Sequence, residues 1–319
     1  MPAKFFLPNA NIQLTLERIL EDTWSAFEQL LPNQIAITWI LYEPPYRINT
    51  GGALSPEEFW QYRPIGASYR GVELIEPGGL VTLFYMVAMQ AWLEQGMVPP
   101  SPEMERALVD MITGTSDDAT GYIVDVLSGT TSGPELQSGP MKTWEYQRNI
   151  VNRYFQQLGW PELRAVNLNQ KTWCDRPYGR EYDFLGDTLE NRNLLTSEAT
   201  ARLLHSIVGG VSISGVRSQQ MIELMARSPR LDPKMDASGC DASELIAQGL
   251  PPTAKIWSKS GTAERDRHEA AYIEAGGCHP YQLIVFTEGA VPQQNEQIIP
   301  FVSQQIFAAS QAVFSSYGH

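Results

Sequence analysis

Apolar residues recur along most of this chain with the 3.6-residue period of helices, and in a few stretches they run together or alternate as in strands. The strongest pattern follows Glu76-Pro77-Gly78-Gly79, where Leu80, Leu83, Phe84, Val87, Ala88, Ala91 and Trp92 share one helical face. Tyr85, Met86 and Met89 make the other faces apolar as well, so a helix over Leu80 to Gln95, closed by Gly96, is expected to be buried on most sides. Leu14 to Leu31 is amphipathic, with Leu16, Ile19, Leu20, Trp24, Phe27 and Leu31 on one stripe, and Pro32-Asn33 ends it. Gln34 to Tyr42, β-branched and aromatic between Pro32 and Pro44-Pro45, predicts a core strand. Tyr46 to Pro64 reads as loop, and Gly71 to Ile75 as a short strand ahead of the buried helix.

Ser101-Pro102 opens a helix with Met104, Leu108, Met111 and Ile112 inward, since serine caps and proline suits the first helical position. The turn Thr113-Gly114-Thr115-Ser116-Asp117-Asp118 leads into a second helix through Ile123, Val126 and Leu127. Ser128 to Pro140 is loop, and Lys142 to Leu158 is one more helix. Trp160 to Leu195 shows little periodicity; a segment of that length is either a functional wall or lid, or irregular packing pinned by Trp173, Tyr178, Tyr182 and Phe184. Thr196 to Val208 and Val216 to Arg227 are helices, the second stopped by Ser228-Pro229. Beyond Pro251-Pro252, Ala254 to Lys259, His268 to Ala275 and Tyr281 to Thr287 read as strands of an antiparallel meander with turns at Gly261 and Gly276-Gly277, before a last helix over Gln294 to Tyr317.

The resulting class is α+β: an antiparallel sheet with flanking N- and C-terminal helices and an inserted all-helical region. We expect a single domain over 1-319, with 14-75 and 251-319 forming the sheet part and 76-250 the mainly helical part. The formal charge of −13 and the lack of a basic run with interleaved aromatics argue against nucleic-acid binding. No apolar run approaches the roughly 20 residues that cross a bilayer, and Pro8-Asn9 interrupt the opening before a secretory core can form, so no membrane association and a cytoplasmic location are expected. Cys174, Cys240 and Cys278 suggest reduced thiols, and the four histidines lack metal-ligand spacing, so neither a metal nor a cofactor is expected.

A helix start gathers unsatisfied N–H groups where a reacting oxygen or anion can sit, and here the side chains at that start are Gly79 and, one turn on, Thr82. Three stretches in order carry a resemblance: the Glu-Pro-Gly-Gly turn, Ser116-Asp117-Asp118 between two helices, and Lys259-Ser260-Gly261 on a late strand. They resemble S-x-x-K, S-D-N and K-T-G of the class A β-lactamases and penicillin-binding proteins, and the order of elements along nearly the whole chain is similar to that fold. The resemblance implies that Gly79 replaces the serine nucleophile and Thr82 the lysine; between Gly71 and Trp92 there is no serine or lysine to restore them. It further implies that Ser116 is a proton-relaying hydroxyl, that Asp118, in place of asparagine, forms an ion pair with Lys259, and that Lys259 holds a carboxylate. Gly261 would let the ligand approach the strand, Ser260 and Thr262 would line it, and the backbone N–H of Gly79 and Ala263 would cradle an oxyanion. Of Glu162, Glu181 and Glu190 in the long loop, Glu181 is the candidate for the family's water-activating glutamate.

Three functions follow from this reading. The first is a member without acyl-enzyme chemistry that keeps a pocket for a small carboxylate-bearing ligand or peptide. The second is an active hydrolase with rearranged groups, for instance Ser116 with Lys259 or Asp118 acting on water. The third is an interaction or scaffold subunit with a protein partner and a vestigial pocket.

Overall fold

The computed structural model describes residues 4–42, 54–227, 244–262 and 266–316. In chain order the first half contains β1 (Leu7–Pro8), α1 (Ala10–Ala26), β2 (Ile35–Leu41), α2 (Pro56–Gln61), β3 (Ile65–Tyr69), α3 (Thr82–Glu94), α4 (Pro102–Thr113), α5 (Asp117–Ser128), α6 (Ser138–Arg148) and α7 (Ile150–Gln157). The second half contains α8 (Arg180–Leu185), α9 (Ser197–Val208), α10 (Gly215–Met225), β4 (Ala226–Arg227), α11 (Leu245–Gln248), β5 (Lys255–Thr262), β6 (Asp266–Glu274), β7 (Tyr281–Glu288), α12 (Ala290–Gln294) and α13 (Ile298–Ser316).

Among the described residues one sheet forms, in the order β1-β3-β2-β7-β6-β5-β4. It is the expected α+β sheet, antiparallel throughout except for the two-residue parallel pairing of β1 with β3. Both faces are covered, which explains the unbroken apolar run of β2. Ile35, Ile37, Trp39 and Leu41 join the core shared with α1 and α13, while Ala36, Ile40 and Tyr42 join the core shared with α3 and α9. Every residue of α3 from Thr82 to Trp92 is buried, as its apolar faces require. At about 1.5–3 kcal/mol for each large apolar side chain removed from water, this helix is the centre of the core it shares with α4, α5, α7 and α10, while α9 is the helix that lies directly on β2, β6 and β7.

Several boundaries move, each for a local reason. Asn9 caps the first helix by accepting from the N–H of Asn11 and Ile12, so the helix runs over Ala10–Ala26 rather than 14–31. Inside the stretch expected to be loop, Ser55 and Glu58 close a reciprocal capping box that starts α2. The strand ahead of the buried helix is Ile65–Tyr69, between β1 and β2, not 71–75; Ile75 makes a single bridge to Leu195. The helix expected over 142–158 breaks at Asn149, where ψ rises to 11°. Gly261 lies inside β5 rather than at a turn, and the closing helix starts at Ile298 rather than Gln294, with the short separate α12 ahead of it. The irregular segment after Trp160 holds the short α8 and is pinned by a chain of amides: Asn152 donates to Asn167 (2.7 Å), and both Asn167 and Asn169 donate to Asn191 (3.0 and 2.9 Å). No described helix is long and apolar enough to cross a membrane.

Candidate functional site

The site forms where the turn ahead of α3 meets β5 and the start of α5. Two features of the sheet hold that turn. A Cβ on Gly261 would press on the amide nitrogen of Leu80 and stand 2.5 Å from the Pro77 carbonyl oxygen, so glycine is what allows β5 to lie against residues 77–80. The sequence reading gave that freedom to a ligand; here the turn itself uses it. On β6, the N–H of Thr287 donates to His268 Nδ1 (3.1 Å), which leaves the ring proton on Nε2 to donate to the Glu76 carbonyl (2.8 Å). Burial holds this histidine down at about 4, so it is a neutral clamp on the turn. Gly78 takes φ 49°, the left-handed conformation that glycine adopts without strain, and Gly78–Val81 makes one 3-10 turn into α3. Beside the turn, Asp266 is pushed up to about 7 by burial, reinforced by the negative charges of Glu76 and Glu288.

Gly79 is buried between β5 and the loop before α5. A Cβ placed on it would lie 3.7 Å from both Gly261 Cα and the Ser260 carbonyl oxygen, and 2.8 Å from Thr115 Cγ2. Thr82 is fully buried one turn on, and its hydroxyl donates to the Gly79 carbonyl (2.7 Å). Lys259, only 1% exposed, donates from Nζ to Thr115 Oγ1 (2.7 Å) and to the Ser260 carbonyl (2.8 Å). The hydroxyl that meets this lysine therefore belongs to Thr115, one residue before the serine that the motif reading selected.

Ser116 does a different job: its Oγ accepts from the Ala119 N–H (3.2 Å) as the N-cap of α5. Asp118 stands exposed on the first turn of that helix, and the expected ion pair between Asp118 and Lys259 is absent. A carboxylate at a helix N-terminus is already favourably placed against the helix dipole and needs no lysine. Next to it, the exposed thiol of Cys174 donates to Asp117 Oδ2 (3.1 Å). Ser260 is half-buried and Thr262 exposed on the outer end of β5; Ala263 lies outside the described residues.

Glu181 is not in the cleft. It is fully buried on α8, where Oε1 accepts from Arg148 Nη2 (2.6 Å) and Ser132 Oγ (2.8 Å), with Lys171 Nζ at 3.6 Å. Lys171 in turn binds Asp125 Oδ2 (2.7 Å), so the four charges form one buried cluster that ties the 160–195 segment to α5 and α6. The structure thus brings together Gly79, Thr82, Lys259, Ser260, Gly261 and the unforeseen Thr115. The one sequence signal for Thr115 was the helix grammar: if Ser116 is the cap, the hydroxyl ahead of it is free to face the strand. Among the described residues no group of histidine, cysteine or carboxylate side chains is arranged to hold a metal ion.

Comparison with known proteins agrees with the fold described above. The sequence model described as the β-lactamase enzyme family matches residues 144–310. No curated protein sequence matches the chain. Among solved structures, a β-lactamase from Sphaerobacter thermophilus DSM 20745 is similar over 92% of this chain and 97% of its own, at 14% identity and a TM-score of 0.60. A β-lactamase from Chitinophaga pinensis DSM 2588 covers 93% and 99% at 12% identity and 0.60. A variant of PBP-A, solved as an acyl-enzyme complex with penicillin G, covers 97% and 98% at 13% identity and 0.58. At such identities the likeness establishes the fold.

Proposed function

This chain belongs to the β-lactamase enzyme family, and from that premise we propose that it is a member that has given up acyl-enzyme chemistry while keeping its cleft for recognition. The observation that carries this reading is the absence of any attacking side chain at Gly79, combined with the diversion of Thr82 to the Gly79 carbonyl. Loss of the nucleophile alone costs a serine hydrolase about 10⁶ in rate and leaves roughly 10³ to 10⁴ over water. A family protein in that state is of use as a binder.

The occupant we propose is a small carboxylate-bearing molecule or peptide. Lys259 places a buried cation beside Thr115 and the Ser260 carbonyl, and Ser260 and Thr262 lie on the same stretch of strand. β4 pairs only with Ile256 and Trp257, so among the described residues the outer edge of β5 beyond them is left for an extended ligand to pair with. A mutant of PBP-A, a structural neighbour, was solved as an acyl-enzyme complex with penicillin G, which makes penicillin G the natural probe. Intact-protein mass spectrometry after prolonged incubation with it is expected to show the unmodified mass only; a stable covalent adduct would remove the proposal.

One observation favours a rearranged hydrolase instead: the 2.7 Å contact of Lys259 with a hydroxyl. That hydroxyl is Thr115's, so an adduct mapping to Thr115, rather than to Ser116, is what would establish the second reading.

A further inference from the structure

We infer that Thr115 plugs the cleft over Gly79 and that Lys259 holds the plug in place; the inference builds on the loss of acylation proposed above. Its basis is the geometry around residue 79. Of the atoms that surround the position of a side chain there, β5 leaves ordinary contact distance, 3.7 Å to Gly261 Cα and to the Ser260 carbonyl oxygen. Among the described residues the one obstruction is Thr115 Cγ2, at 2.8 Å, closer than carbon atoms approach without one of them moving.

Thr115 is poorly able to move. Its Oγ1 accepts from Lys259 Nζ at 2.7 Å, so rotating χ1 to withdraw the methyl group also swings the hydroxyl off the lysine and leaves a buried ammonium with one acceptor fewer. Its backbone is in the left-handed region, φ 51°, where a β-branched residue is a genuine outlier. Such a conformation persists only where the surroundings over-determine it, and the hydrogen bond to Lys259, together with the start of α5 at the next residues, supplies that constraint. Lysine and threonine therefore act as one unit. Lys259 acts on a ligand from beneath the floor, and Thr115 decides what reaches the cradle at Gly79.

The plug makes glycine at 79 a steric necessity as well as a chemical loss. A side chain cannot return there until the methyl group of Thr115 has gone. The prediction is a reversal of sign. Gly79 does not have a left-handed φ and sits in a helical turn, so alanine there, judged by backbone preference alone, stabilises by restricting the unfolded chain.

The test is a double-mutant cycle in the full chain, Gly79→Ala and Thr115→Ser separately and together, read by reversible guanidinium unfolding. With Thr115 in place, Gly79→Ala is expected to raise the unfolding equilibrium constant about tenfold or more. With Thr115→Ser, which keeps the oxygen for Lys259 and removes only the methyl group, the same alanine is expected to leave that constant unchanged or lower it. Folding of the double variant where Gly79→Ala alone does not fold is the extreme form of the same result. An equal penalty in both backgrounds, or failure of both alanine proteins to fold, overturns the plug, because the obstacle at 79 is then something other than Thr115. The outcome is independent of acylation: a penicillin adduct on the unaltered protein would remove the proposed function and leave this cycle as it is, and the absence of coupling would remove the plug while the lost nucleophile stands.

Discussion

Replacing Arg148 by methionine tests whether Glu181 is a structural residue or a catalytic one. Arg148 has no exposed side-chain surface; it donates to Glu181 Oε1 at 2.6 Å, approaches Asp125 Oδ1 at 3.3 Å, and lies over the Trp144 ring at 4.5 Å. Methionine retains an unbranched apolar stem but leaves Glu181 buried with Lys171 Nζ, at 3.6 Å, as its remaining cation. Removing one partner of a buried pair costs about 3–5 kcal/mol, because the other charge stays out of water uncompensated. Guanidinium unfolding should show that loss as a rise in the unfolding constant of roughly a hundredfold to several thousandfold. Changing Glu181→Leu as well removes the orphaned charge, so the double variant should recover stability relative to Arg148→Met, with a coupling of about 0.5–3 kcal/mol. If Arg148→Met and Glu181→Leu each cost under about 1 kcal/mol and add independently, the cluster does not fasten the 160–195 segment, and the case for Glu181 as a structural residue falls.

Gly261→Ala should destabilise by about 1–3 kcal/mol or more, because its Cβ meets backbone atoms of Pro77 and Leu80 that cannot swing aside; calorimetry showing an unchanged Tm would refute the packing of β5 on the turn. Ser116→Ala should cost about 1 kcal/mol as a lost N-cap, whereas Asp118→Asn, exposed, should stay within about 0.5 kcal/mol; equal effects in urea melts would argue against these roles. His268 and His205 are held down at about 4 and about 3 by burial, below an unfolded value of about 6.5, so each contributes stability that is complete above pH 6.5 and lost as pH falls toward its folded value. Asp266 and Glu269, raised to about 7 chiefly by burial, work in the opposite sense, with stability present below their unfolded values of about 4 and lost as pH rises through 7. Imidazole NMR signals of His205 and His268 that titrate near pH 6.5 would contradict the acidic limb.

The central helix and the β-meander were readable because their signals are local and strong. Continuous apolar faces from Leu80 to Trp92 permit only a buried helix, and after Gly276-Gly277 the strand β7 carries Tyr281, Leu283, Ile284, Val285 and Phe286 in one run, with Tyr272 and Ile273 ahead of the turn. Boundaries moved for local reasons that periodicity does not carry: Asn9 caps α1 ahead of its first buried residue, Ile12, and at Asn149 the backbone, with ψ at 11°, interrupts the helix before Val151, Tyr154 and Phe155. The site was legible as a neighbourhood and misread in detail. Gly79, Lys259 and Gly261 do meet, but a motif spelled Ser-Asp-Asp draws attention to Ser116 and past Thr115, whose meaning depends on where the helix begins. Glu181 gave no hint of burial because Ser132, Arg148 and Lys171, which meet its carboxylate, and Asp125, which shares those two cations, are none of them near it in sequence.

The most direct measurement is turnover of a chromogenic cephalosporin at high protein concentration, followed from the first seconds so that both a burst and a steady rate can be read. With no nucleophile at residue 79, the account predicts no burst and a steady rate no more than roughly 10³ to 10⁴ above the reaction with water. A stoichiometric burst, or turnover in the range of about 1 to 10³ per second found for working enzymes, would contradict it.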